Sequence, residues 1–146
     1  MHLAQLLRAA TCTALLVPAA PALAQDAGAQ SCVGKARLRG PIWDLAGGQL
    51  EPGLPEVFDG IARIIREDCG AKLIIIEAHA FELPAPELNL LLSELRAATV
   101  RYELVKRGIP AERLLAAPYG DTRPRVPKSA PDAALENRRI TFLSAD

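Results

Sequence analysis

The chain reads as an α+β domain, a two-layer sandwich in which two main helices pack on one mixed sheet in the order β-α-β-α-β-β. Three observations predict it. Apolar residues recur at helical spacing over two long segments, β-branched or alternating segments lie before, between and after them, and Gly or Pro stands at the helix boundaries.

The first strand falls in "CVGKARLRGPIWDL", residues 32–45, where alternation is imperfect and Gly40 and Pro41 interrupt it. That pattern suits an edge strand with a bulge. "AGGQLEPG" is a loop. From Leu54 to Asp68 the apolar positions 54, 57, 58, 61, 64 and 65 mark one helical face, with Pro55 in the first turn and Gly70 just past the end. "KLIIIEAHA" has three consecutive Ile, the pattern of a central strand buried on both faces or nearly so. The second helix is predicted from Pro86 to Arg107, ended by Gly108 and Pro110. On a helical wheel Leu88, Leu91, Leu92, Leu95, Ala98, Thr99, Tyr102 and Val105 fall in one arc of roughly 140°, which reads as the core face. "PAERL" is a single helical turn, "LLAAPYG" a third strand, "DTRPRVPKSAPDAA" a Pro-rich loop, and "NRRITFL" a final alternating strand.

The first 24 residues stand apart from this pattern. Arg8 is followed by an apolar run from Ala9 to Val17 and by a small-x-small site at Ala22 and Ala24, the features of a secretory signal peptide. The run is too short to span a bilayer. Residues 25–35 are expected to be a flexible leader and residues 36–146 the domain. Without the signal, 16 basic residues face 17 acidic ones. Such a balance gives no general pull toward nucleic acid or an anionic membrane. Cys32 and Cys69 remain, and in an exported chain an even count favours a disulfide. With His79 the single histidine left, the pair makes a poor metal site.

Within the second helix, Asn89, Ser93 and Arg96 lie within about 60° of one another at the margin of the apolar arc. An arginine there can lay its stem on the sheet edge and point its guanidinium into the groove between helix and strand. "NLLLSELRA" fits the pattern N-x-x-L-S-x-x-R-A. Downstream come "KRGIPAERL", "PYGDTRP" and "ENRRI", and upstream "IWDLAGGQLEP". In these motifs, over roughly residues 36–143, the chain resembles the OmpA-like peptidoglycan-binding domain. The resemblance implies a domain that binds the diaminopimelate of a peptidoglycan stem peptide. In that family an Asp closing a G-H-T-D strand end takes the ligand ammonium and the helix Arg takes its carboxylate. It makes Arg96 that guanidinium and places Asn89 in the same groove.

The other half of the grip departs from the family. "EAHA" and Phe81 stand where G-H-T-D is expected, with Phe81 at the Asp position. Glu82 is adjacent, but a neighbour in an extended segment points the other way; a rebuilt loop through "ELPAPE" would be needed to bring it back. Losing one charged partner of a partly buried site costs on the order of 2–5 kcal/mol, so ordinary diaminopimelate binding should be weakened.

For several residues a structural reading stands beside the functional one. Arg96 is either a groove ligand or a surface arginine paired with Glu94, Glu103 or a C-terminal carboxylate. Asn89 is a ligand contact or a helix cap. Asn137 and Arg138 tie the last strand to the loops or touch ligand. His79 is expected as a hydrogen-bonded strand-end residue, and Phe81 as core filler or a groove wall. Arg123, Arg125 and Lys128 form a solvated cluster or meet an acidic partner.

No nucleophile elbow, zinc motif or phosphate loop is present. The expectation is a non-enzymatic, cofactor-free protein of the periplasm, associated with the outer membrane or cell wall, that binds peptidoglycan through Asn89, Arg96, Phe81 and Arg138. The rival expectation is a periplasmic protein-interaction or scaffold module that has lost the wall ligand.

Overall fold

The computed structural model describes residues 32–34, 36–39 and 54–145. The signal peptide, the Gly40–Pro41 bulge and most of the leader lie outside these residues. The elements run β1 (Arg37–Arg39), α1 (Leu54–Asp68), β2 (Leu73–His79), α2 (Pro86–Lys106), a 3₁₀ turn (Ala111–Arg113), β3 (Leu114–Gly120), α3 (Ala133–Asn137) and β4 (Arg139–Ala145). The strands form one sheet in the order β1-β4-β2-β3. β4 is antiparallel to both β1 and β2, whereas β2 and β3 are parallel. The sheet is therefore mixed, and the α+β sandwich is the observed architecture.

The core lies between the sheet and the two long helices. Alternation along β2 buries Ile74, Ile76 and Ala78, and the antiparallel register sets Ile76 beside Phe142 and Ala78 beside Ile140 on the same face. Phe58, Ile61, Ala62 and Ile65 of α1 complete the cluster with Ala97, Val100 and Leu104 of α2. On the other face of β2, Leu73, Ile75 and Glu77 are half-buried. The helices cover one face of the sheet, and the other is only partly covered.

Cys32 and Cys69 form the predicted disulfide. It pins the residues ahead of β1 to the end of α1, and Val33, expected in the leader, is wholly buried in the core. The bridge spans a sequence separation of 37 residues, and closing a loop of that length stabilises by about 4 kcal/mol through the unfolded chain.

The α2 helix is the main correction. Its buried residues are Asn89, Ser93, Arg96, Ala97, Val100, Glu103 and Leu104, while Leu88, Leu91, Leu95, Tyr102 and Val105 are exposed. The helix is turned by about 150° from the orientation its apolar arc predicts. Close approach explains the choice. The end of β3 runs so near α2 that a Cβ on Gly120 would meet the Leu90 amide nitrogen at 2.8 Å. Gly120 also holds a φ of +53°, which suits glycine. Small side chains on the helix permit that contact, and the polar ones are satisfied internally: Ser93 Oγ donates to the Leu90 carbonyl and accepts from the Gly120 N–H.

At the other end of α2, Arg107 fastens the helices together. Its Nε donates to Asp59 at 2.6 Å, its Nη1 to Glu103 at 2.5 Å, and its Nη2 to the Pro55 carbonyl. Burial alone would raise the Glu103 carboxyl, but hydrogen bonds from Arg107 and Lys106 outweigh it and hold the carboxyl below its ordinary value.

Candidate functional site

The site forms where β2 hands over to α2. β2 ends at His79, and residues 82–85 bend before the helix begins at Pro86. Asn89 determines the shape of that bend. Its Oδ1 accepts from the Glu82 and Leu83 N–H groups at 3.2 and 3.0 Å, and its Nδ2 donates to the Leu83 carbonyl at 2.8 Å. Asn89 is fully enclosed and makes no cap at its own helix's start, so its amide is a clamp on the bend.

The clamp changes where Glu82 goes. Side-chain alternation holds only while the backbone stays extended, and here the strand has already ended. The Glu82 carboxylate turns inward, where Oε1 lies 2.7 Å from Arg96 Nη1 and Oε2 accepts from the Phe81 N–H at 2.7 Å. Side-chain exposure is 9% for Arg96 and 5% for Glu82. This corrects the expectation that Glu82 points away. Of the carboxylates considered in sequence for Arg96, neither Glu94 nor Glu103 is the partner in this ion pair; Glu103 belongs to the Arg107 cluster.

Two other predicted residues lie close by. Arg138 Nε donates to the Ala134 carbonyl at 3.0 Å and stands 3.9 Å from Glu82 Oε1, placing a second positive charge beside the acid. Phe81 is half-buried, with the Lys128 ammonium 5.6 Å from its ring centroid. Arg96, Glu82, Asn89 and Arg138 thus converge, with Phe81 adjoining through its backbone. Glu82 is the member sequence reasoning left outside; the signal that could have found it is the two prolines of "ELPAPE", which bar continuation of the strand.

Asn137 repeats the Asn89 device on the far side. Its Oδ1 accepts from the Arg125 and Val126 N–H groups, and its Nδ2 donates to the Val126 carbonyl. It lies in α3 rather than in the final strand, which starts at Arg139. The expected role of tying the chain end to the Pro-rich loop fits those bonds. Arg123 stacks over Tyr119 at 3.8 Å and Lys128 pairs with Asp121 at 2.7 Å, so that loop's charges are engaged within the fold.

The expected hydrogen bond of His79 is absent: neither ring nitrogen has a protein partner among the described residues. Its ring instead stacks on Tyr119, with centroids 5.4 Å apart. Burial, then the charges of Arg139 and Arg123, push its pKa down to about 3, so the imidazole is neutral. Among the described residues no group of three His, Cys, Asp or Glu side chains could hold a metal ion, and no helix is long and apolar enough to cross a membrane.

The arrangement offers one acid and one base, opposed and shielded from water. It can accept a ligand that carries both charges, or serve as an internal strut.

Known proteins resemble this chain in sequence and in fold. Over 72 residues the chain is 40% identical to the peptidoglycan-associated lipoprotein of Brucella melitensis, covering 49% of this chain and 43% of that protein. An 80-residue stretch is 38% identical to part of the photosystem I P700 chlorophyll a apoprotein A2 of Gloeobacter violaceus, 51% of this chain but 9% of that protein. The chain therefore spans less than half the length of these curated relatives. Among solved structures, the peptidoglycan-associated lipoprotein from Burkholderia pseudomallei superposes with a TM-score of 0.64 at 20% identity, covering 80% of this chain and 95% of that one, a likeness of fold. Residues 46–138 match the OmpA family, and with the fold and the ordered motifs in agreement, the chain belongs to it.

Proposed function

We propose that this chain is a periplasmic cell-envelope protein whose domain holds peptidoglycan non-covalently, with Glu82 and Arg96 gripping the two charged groups of a diaminopimelate in the stem peptide. The observation that carries the reading is the 2.7 Å ion pair between those residues at the junction of β2 and α2. An opposed acid and base are the two halves of a zwitterion receptor: the carboxylate takes the ammonium and the planar guanidinium takes the carboxylate with two parallel bonds. The names of the Brucella and Burkholderia relatives, both peptidoglycan-associated lipoproteins, support the ligand class.

In this reading Glu82 supplies the acid that Phe81 cannot, and Phe81 becomes an apolar wall beside it. The internal pair must open to admit the ligand, so one buried pair is exchanged for two. Affinity is thereby weakened relative to a site whose acid and base are held apart. Arg138 steadies the Glu82 carboxylate, and Asn89 acts indirectly by holding the bend. The reading involves binding alone, with no cofactor and no bond made or broken.

The test is co-sedimentation with diaminopimelate-type sacculi. Wild type is expected in the pellet and to be released by free diaminopimelate. Arg96→Ala and Glu82→Gln, checked for folding by circular dichroism, are expected in the supernatant. Phe81→Asp adds a second acid and should bind more tightly. Wild type remaining in the supernatant would reject the proposal and favour the periplasmic scaffold module that has lost the wall ligand.

A further inference from the structure

The side of α2 that faces away from the sheet carries a continuous apolar stripe, Leu88, Leu91, Leu95, Ala98, Tyr102 and Val105, spaced alternately by three and four residues. Leu91, Leu95 and Tyr102 leave 52%, 59% and 62% of their surfaces open. A surface helix normally turns such a stripe to its own core; here the core takes the opposite arc. The alternation of three and four is that of a coiled-coil seam, in which apolar knobs of one helix enter holes on another.

We propose that this stripe is the interface with a second copy of the chain, the two α2 helices lying antiparallel about a two-fold axis between Leu95 and Ala98. Charge along the helix selects this occupant and direction. Glu87 and Glu94 flank the stripe in the N-terminal half, and Arg101 and Lys106 flank it in the C-terminal half. An antiparallel pair sets Glu94 across from Arg101 of the second copy, twice by symmetry. A parallel pair would set Arg101 across from Lys106 of the second copy, a repulsive match. Arg101 Nε and Nη2 donate to the Leu114 and Ala111 carbonyls of its own chain.

Size agrees as well as charge. The antiparallel register places Leu95 against Ala98 of the second copy at the axis, large against small, with Leu91 against Tyr102 and Leu88 against Val105 outward. A helix of 21 residues gives a seam of about 30 Å. That is near the small end of specific interfaces, so dissociation in the micromolar range is expected. Arg96 lies on the opposite, buried face of the same helix, so pairing leaves the Glu82 site uncovered.

The experiment is sedimentation velocity on the full chain over roughly 1 to 100 μM. Wild type is expected to move from monomer to dimer across that range. Leu91→Glu with Leu95→Glu changes only exposed positions, so the fold should survive by circular dichroism and urea unfolding, and dimerisation should weaken by more than tenfold. Glu94→Arg should weaken the dimer several-fold; in a parallel pair it would face Thr99 and change little. A wild type that stays monomeric at 100 μM overturns the proposal, including the case in which residues 40–53 or a lipid surface cover the stripe. A dimer indifferent to the Leu91 and Leu95 changes overturns it too, and indifference to Glu94→Arg overturns the antiparallel arrangement.

Discussion

The Glu82 carboxylate and the Arg96 guanidinium meet 2.7 Å apart with almost no solvent between them and the rest of the fold. Removing one partner of such a pair leaves the other charge buried with weaker compensation, which costs up to about 3–5 kcal/mol. Replacing both by apolar residues of similar size is close to neutral. Urea unfolding of Arg96→Met, Glu82→Leu and the double variant should therefore show strong non-additivity, with the double variant more stable than either single one. Simple additivity would mean the two side chains are not coupled in solution.

Gly120 is the position where backbone conformation and space act together. Its φ of +53° and the 2.8 Å approach of a built Cβ to the Leu90 nitrogen both oppose a side chain. Gly120→Ala is expected to cost more than about 2 kcal/mol. Gly60, in the middle of α1 with no atom within 4 Å of a built Cβ, is the control, and Gly60→Ala should gain roughly 0.5–1 kcal/mol from helix propensity. Denaturation midpoints moving the same way for both would contradict the close approach of β3 to α2.

His79 makes stability depend on pH. Its imidazole titrates near 6.5 in an unfolded chain and near 3 in the folded one. Between those values the unfolded chain holds more protons, so stability is complete above about pH 6.5 and falls as pH is lowered through the window, by up to about 1.4 kcal/mol per unit. His79→Phe keeps the ring on Tyr119 and removes the titration. The difference between variant and wild-type unfolding free energies, measured from pH 7 to pH 4, should grow in the variant's favour on acidification. A constant difference would place the imidazole in water rather than in the fold.

Asn89 gives the bend three hydrogen bonds. Asn89→Ala leaves two N–H groups and one carbonyl without their partner, a loss of about 2–3 kcal/mol. The local consequence is more specific: amide exchange at Glu82 and Leu83 should accelerate, while Val126, clamped by Asn137, keeps its protection. Equal acceleration at both loops would point to global destabilisation instead of a clamp.

Much of the fold was legible before any coordinates. The limits of α1, the order of the two main helices and four strands, and the Cys32–Cys69 bridge follow from local signals: apolar periodicity, Gly and Pro at boundaries, and an even cysteine count. The Asn89-to-Arg96 motif came from the family resemblance, and α3 (Ala133–Asn137) falls where a loop and the final strand are expected. The face that α2 buries and the direction of Glu82 depart from expectation for a common reason. The Leu-rich arc of α2 obeys helical periodicity, yet periodicity reports where apolar residues lie and carries no record of which neighbour needs room. Glu82 was assigned by strand alternation, a rule that lapses once Pro84 and Pro86 end the extended chain.

The linear chain by itself determined where the main helices and strands run, because those outcomes depend on interactions among near neighbours. Only the tertiary structure decided that α2 turns its small and polar side inward and that Glu82 closes on Arg96. Both depend on contacts between segments far apart in the chain: Gly120 must press against the Leu90 backbone, and a polar side chain can be buried once distant groups satisfy its hydrogen bonds.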